Sequence, residues 1–323
     1  MSKRKLTLVI FAAVTVISIC ILAVSLPRRL DEPYGEVAKN SEEPYCLLVL
    51  GEDRVSGSTD VMMLVAFDSD KERICVMQIP RDTYADFGNA YHKKINSARD
   101  LLGGEKQLCS FLSESLGISI DGYLSMDLDG FAHTVDAVGG VEMELDRTFY
   151  YNDPEQGLYI YLQKGRQQLD GKKAEMLVRY RSGYRRGDLS RLDVQKQFLK
   201  ALFKKLKDSV SVSNAYTLAK EVLPYVDTDV NVVGAVSLGL KALKVDDDRI
   251  YFLTLPGGEV VGKSGGSFYV MSRESTERVL EEYFTLKDIE VDRNRAFRNS
   301  ENADFYNIYD SEAEYLINSG NEE

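Results

Sequence analysis

The segment from Leu6 to Leu26, LTLVIFAAVTVISICILAVSL, runs for 21 residues without a charge. As a helix it would cover about 30 Å, the thickness of a bilayer's hydrocarbon layer. Lys3, Arg4 and Lys5 precede it; Arg28 and Arg29 follow but give way to the acidic stretches DEPYGE and NSEEP. This charge bias predicts a cytoplasmic N-terminus at residues 1–5 and a single-pass signal-anchor helix at 6–26, with the rest of the chain outside the cell membrane. A cleaved signal peptide is the rival reading, but LAVSLP offers no clean A-x-A site and the apolar run exceeds a usual h-region. Everything that folds must therefore come after this segment.

Residues 27–45 are polar and proline-punctuated and read as a linker. Three apolar runs of strand length follow: Cys46 to Leu50, Val61 to Phe67, and Arg73 to Pro80. DSDKE between the second and third predicts a hairpin turn. Leu108, Phe111, Leu112 and Leu116 then recur at helical spacing up to Gly117, and Phe131, Val135 and Val138 do so up to Gly139 and Gly140. RLDVQKQFLKALFKKLK reads as an amphipathic helix, and two more helices are expected in NAYTLAKEVLPYVDTDV and NVVGAVSLGLKALKV. RIYFLTLPGGEVVGKSGGSFYVM reads as strand, glycine-rich turn and strand, and SRESTERVLEEYF as a capped final helix. Alternating strands and helices predict a layered α/β or α+β domain. Residues 287–323 form an acidic extension, with ten carboxylates against three arginines from 288 onward.

Three constellations could carry chemistry. In GEDRVSGSTD, Asp53 and Asp60 stand at the exits of neighbouring strands. The loop is either a plain acidic turn or a wall where both carboxylates converge on a hard cation such as Mg2+. In IPRDTY, Arg81 and Asp82 follow an apolar strand, a rigid place from which a guanidinium can meet phosphate; Lys94 can add a second positive charge. In LVRYRSGYRRGDLSRLDVQ, five arginines fall within thirteen residues. There Arg179 and Arg181 are expected to alternate on one strand face, with Arg191 and Gln195 on one helix face.

The chain has 51 carboxylates against 40 Lys and Arg, a formal charge of −11, so this basic cluster runs against the overall field. Net negative charge and an external domain exclude a general nucleic-acid binder. Four cysteines at wide spacing suggest neither a zinc site nor a disulfide scaffold, and His92 and His133 read as surface or packing residues. Carboxylates able to hold a divalent ion and arginines able to grip a pyrophosphate are the equipment of phosphoryl transfer or phosphate-ester hydrolysis.

LVLGEDR, STDVMMLV, IPRDTY, KINSA, VDAVGGV, LDGKKAEMLVRYR and GDLSRLDVQ, in this order behind one N-terminal anchor, resemble the LytR-CpsA-Psr family of cell-wall glycopolymer ligases. The resemblance runs from about residue 46 to 286. It implies an α/β (α+β layered) domain over 46–286, a central mixed β-sheet flanked by helices, that holds a polyprenyl-pyrophosphate-linked glycopolymer and passes it, as a phosphodiester, to a hydroxyl of the peptidoglycan acceptor. It further implies metal-associated carboxylates at Asp53 and Asp60 and a phosphate-binding arginine at Arg81, with Lys94 adding charge. Arg179, Arg181 and Arg191 would form a pyrophosphate clamp, with Gln195 beside them. Asp82 would either orient Arg81 or help remove the acceptor's proton. The family usually has arginine where this chain has Ser58 and Val194, and it differs again at Val61, Ser97 and Arg99. A polyprenyl-pyrophosphate hydrolase and a non-catalytic, membrane-tethered binding protein for lipid-linked glycans are the alternatives.

Overall fold

The computed structural model describes residues 44–53, 58–87, 93–154, 158–180, 188–210, 214, 217–218, 221–230, 239, 241–262, 267–287 and 305–306, with the backbone alone at 53, 188–193, 261–262 and 305–306. The Leu6 to Leu26 segment lies outside these residues. Among the described residues no helix is long and apolar enough to cross a membrane.

Three strands open the fold: β1 (Tyr45–Asp53), β2 (Ser58–Asp68) and β3 (Arg73–Gln78). β2 is buried at all eleven positions, as expected of a strand covered on both faces. It pairs antiparallel with β3, Met63 opposite Gln78 and Asp68 opposite Arg73, so the DSDKE hairpin forms as expected. Two helices follow, α1 (Ala98–Leu102) and α2 (Glu105–Leu116). α2 buries Leu108, Leu112 and Leu116 and ends at Gly117, whose φ of 69° is the left-handed cap that glycine adopts without a Cβ penalty.

β4 (Gly122–Asp127) leads into α3 (Leu128–Ala137), where the Asp127 side chain accepts a hydrogen bond from Gly130 N–H and caps the helix. Two ribbons come next. In one, β5 (Val141–Leu145) pairs with β8 (Gly165–Leu169); in the other, β6 (Phe149–Asp153) pairs with β7 (Leu158–Leu162), both antiparallel. α4 (Gly171–Arg179) and the long α5 (Asp188–Ser209) follow, with Phe198, Leu199, Leu202, Phe203 and Leu206 of α5 buried. The lysines Lys200 and Lys204 on its outer side are exposed.

The C-terminal part contributes β9 (Val226–Thr228), β10 (Ile250–Thr254), β11 (Gly257–Gly262), β12 (Ser267–Met271), α6 (Arg273–Tyr283) and β13 (Phe305–Tyr306). Strand order in the main sheet is β10-β3-β2-β1-β4-β9. β10 runs parallel to β3, while β3 and β9 run antiparallel to β2 and β4, so the sheet is mixed. A smaller sheet has the order β12-β11-β13. The acidic extension thus supplies a strand of its own.

Three local readings change. Val226–Thr228 is a strand where a helix was expected, and most of NVVGAVSLGLKALKV lies outside the described residues. The glycine-rich segment forms a third strand, β11, because Gly257 and Gly258 pair directly with Met271 and Val270. Ser272 precedes α6 but makes no side-chain cap bond; its carbonyl accepts from Thr276 N–H instead.

The chain divides into two compact units. One comprises Ser41–Val49, Gly57–Tyr123 and Val245–Glu323; the other includes Leu50–Ser56 and Leu124–Lys244.

Candidate functional site

The first unit holds Asp60, Arg81, Asp82 and Lys94. Arg81 and Asp82 lie just past β3, where Pro80 ends the run of strand hydrogen bonds because it has no N–H to donate. The turn is pinned by its backbone from several sides. Ile79 N–H donates to Met62 O at 2.8 Å, and Thr83 N–H to Pro80 O at 2.9 Å. Asn96 N–H reaches Arg81 O at 3.2 Å and Ile95 N–H reaches Thr83 O at 2.9 Å. From β12, Tyr269 N–H donates to Asp82 O at 2.9 Å, while its carbonyl accepts from Tyr84 N–H at 2.7 Å. A turn held this way presents its side chains in one geometry, as a phosphate site requires.

The side chains form a chain of charges. Arg81 Nη1 donates to Asp60 Oδ1 at 3.0 Å, and the Asp60 side chain has no exposed surface. Arg81 Nε stands 3.9 Å from Asp82 Oδ2, beyond hydrogen-bond reach. Lys94 Nζ donates to Asp82 Oδ1 at 2.8 Å and lies 5.4 Å from the Phe268 ring centroid. Asp60 therefore orients Arg81, while Asp82 engages Lys94. Arg81 Nε is buried and has no hydrogen-bond partner among the described residues.

Phe268 and Tyr269 went unnoticed in the sequence. Phe268 packs edge-on against Tyr84 at 5.7 Å. Tyr269 donates its hydroxyl to Leu255 O at 2.5 Å, and burial pushes that hydroxyl well above the usual tyrosine range. The alternating SFYVM of β12, a short strand near a basic turn, was the available signal. Arg99, one of the positions where the family pattern differs, pairs with Glu105 and Asp100 across α1 and α2.

The second unit holds Arg179 and Gln195. Arg179 closes helix α4 and does not lie on a strand, which corrects the expected alternation with Arg181. The cause is local. Asp170 caps the helix by accepting from Lys173 N–H, and KKAEML is a run of good helix formers that outweighs the two-residue pattern of RYR. Arg179 Nη1 donates to Glu175 Oε1 at 2.8 Å, one helical turn away. Its Nε is buried without a hydrogen-bond partner among the described residues.

Gln195 on α5 is 1% exposed, and neither polar atom of its amide has a partner among the described residues. Buried amides are ordinarily satisfied, and a polar ligand is one group that could supply the missing bond. Arg181 and the side chains of Asp53 and Arg191 lie outside the described residues. Ser58, at a usual arginine position, is buried, and Val194 is half-buried. His133 stacks on Tyr225 at 4.4 Å, a packing role.

Among the described residues no group of three His, Cys, Asp or Glu side chains could hold a metal ion. The donor chemistry nonetheless fits magnesium, which uses one or two carboxylates and takes its remaining ligands from water and substrate phosphate. Asp60 is a buried carboxylate of that kind.

An arginine fixed by a buried carboxylate at a strand end of a mixed α/β sheet is a rigid guanidinium of the kind that can meet an anionic oxygen. A model described as the LytR_cpsA_psr family matches residues 24–285, and the chain belongs to that family. It is 26% identical over 262 residues to the polyisoprenyl-teichoic acid–peptidoglycan teichoic acid transferase TagV of Bacillus subtilis, covering 77% of this chain and 67% of the relative. It is 29% identical over 247 residues to the corresponding transferase TagU of Halalkalibacterium halodurans, covering 70% of this chain and 79% of the relative. The crystal structure of B. subtilis TagV superposes with a TM-score of 0.63 at 24% identity, over 75% of this chain and 98% of that one, which establishes the shared fold.

Proposed function

We propose that the chain transfers a glycopolymer of the teichoic acid or capsule type from a polyprenyl pyrophosphate carrier to a peptidoglycan hydroxyl. The single observation that carries this reading is the Arg81 to Asp60 pair at 3.0 Å, held in the pinned turn after β3. Family membership and the relatives named as teichoic acid transferases support the same reading.

In the reaction the acceptor oxygen bonds to the polymer-side phosphorus while the bridging bond to the polyprenyl phosphate breaks. The electron pair leaves with polyprenyl phosphate, and the hydroxyl proton goes to a carboxylate. Asp82 is the group assigned to that proton, because its carboxylate is partly exposed while Asp60 is buried. Lys94 holds Asp82 in place. Arg81 neutralises charge on the transferring phosphoryl group; the family resemblance assigns Arg179, Arg181 and Arg191 as phosphate ligands and Gln195 as a substrate-binding residue. Asp53 and Asp60 would hold Mg2+, which supplies charge neutralisation at the pyrophosphate. Membrane association follows from the family, with Leu6 to Leu26 as its single-pass anchor and the catalytic domain outside the cell.

The test is to incubate the purified full chain in detergent with a lipid-pyrophosphate-linked glycan and peptidoglycan fragments, with and without magnesium. Coupled, phosphodiester-linked product is expected. Lipid phosphate released without coupling would establish a hydrolase, and binding with neither product would establish a tethered glycan-binding protein.

A further inference from the structure

The β6–β7 ribbon has an unusual outer face. Tyr150 lies opposite Tyr161 and Asn152 opposite Tyr159, so these four residues share one side. Tyr150 and Tyr159 are each 55% exposed and Tyr161 is 47% exposed. The inner side is spent on packing, with Phe149, Ile160 and Leu162 buried and Phe149 edge-on to Tyr180 at 4.9 Å. The neighbouring β5–β8 ribbon follows the usual rule, presenting the exposed ion pair Glu142 and Arg166 on its outer face. Three aromatic rings in water on a two-stranded ribbon gain little for folding.

We propose that this tyrosine face binds an uncharged glycan strand, the sugar backbone of the wall acceptor. Tyrosine offers a flat apolar ring with a hydroxyl at its tip and only two side-chain torsions to freeze, which suits the C–H face and hydroxyl rim of a pyranose. Tyr150 and Tyr159 already brace each other edge-on, with ring centroids 6.3 Å apart at 86°. The Tyr161 hydroxyl accepts from Gln163 Nε2 at 3.1 Å, which helps to fix its position. Tyr159 and Tyr161, two residues apart on one strand, are spaced about 6.8 Å along it, so both rings can meet one extended chain of sugars.

Charge selects among occupants. From Arg147 to Lys164 the sequence has two carboxylates, Asp153 and Glu155, and two cations, Arg147 and Lys164, so the ribbon carries no net formal charge. An anionic leaflet or a polyphosphate chain is held by basic clusters, and this ribbon has no excess of positive charge to offer one. A second copy of the chain carries the same net charge of −11. A neutral glycan meets no such penalty.

The inference rests on the transferase reading for its choice of glycan, but its test requires no turnover. The full chain in detergent is titrated with an N-acetylglucosamine hexamer, alongside the Tyr159→Ala/Tyr161→Ala double variant and Tyr159→Trp. Binding should weaken about tenfold or more in the double variant, stay intact in the tryptophan variant, and leave the unfolding midpoint unchanged. Absent binding by the unaltered chain, or equal binding by the double variant, would overturn the proposal. A double variant that instead lost binding to anionic phosphatidylglycerol vesicles would assign the face to the membrane, and one that dissociated a dimer would assign it to self-association. Hexamer binding that persists in a chain unable to transfer polymer counts against the transferase reading alone.

Discussion

Arg81 Nη1 lies 3.0 Å from Asp60 Oδ1, joining residues 21 positions apart in sequence at the ends of β2 and β3. Because the Asp60 side chain is fully buried and the Arg81 side chain only 17% exposed, each charge depends on the other. Asp60→Asn should leave the guanidinium uncompensated and cost about 3 kcal/mol in urea unfolding. The Asp60→Asn/Arg81→Gln double variant should lose less stability than the two singles summed. Strict additivity would mean that the pair does not couple.

The Asp82 and Lys94 pair is different, because both side chains are about one-third exposed. Asp82→Asn and Lys94→Met should each cost about 1 kcal/mol or less in stability. Polymer transfer should nevertheless fall about a hundredfold in Asp82→Asn, the size expected for loss of a proton acceptor. Transfer that declined only in step with stability would remove Asp82 from the chemistry.

Among the described residues Arg179 makes an ion pair of modest worth, its helical pair with Glu175. Arg179→Ala should therefore cost about 0.5 kcal/mol in thermal unfolding. Turnover should drop about a hundredfold, since a phosphate ligand is lost. Arg179→Lys should restore the charge but little of the rate, because an ammonium cannot reproduce the guanidinium's fork. Equal losses of stability and turnover in the alanine variant would dismiss the clamp.

Gly171, the first residue of α4, sits where a Cβ would fall 2.1 Å from Ala132 O of α3. The obstacle is backbone, so it cannot swing aside. Gly171→Ala should force α3 and α4 apart and destabilise the chain by about 2 kcal/mol, read as a lowered unfolding midpoint. An unchanged midpoint would show that the two helices do not pack so closely.

What could be read from the sequence was governed by periodicity. β2 and β3 are unbroken apolar runs, and Leu108, Leu112 and Leu116 keep helical spacing, so these elements emerge directly. RYR failed because two alternating arginines imitate a strand while the cap at Asp170, nine residues earlier, starts a helix that ends on the first of them. The ribbon of β6 and β7 escaped for the opposite reason. Tyr150, Tyr159 and Tyr161 place aromatics on the wet face and erase the apolar and polar alternation that marks a half-buried strand. At the site, residue types were legible but partnerships were not. Nothing in PRDTY reveals that Asp60 takes Arg81 and leaves Asp82 to Lys94, because both pairings arise only when β2, β3 and the turn at Lys94 meet.

The strand at Phe305–Tyr306 ties the acidic extension to the fold. Phe305 and Tyr306 pair antiparallel with Gly262 and Val261, which makes β11 the middle strand of its sheet. Without them the end of β11 at Val261 and Gly262 would present its N–H and carbonyl groups along a free edge, the kind of template on which chains stack into aggregates.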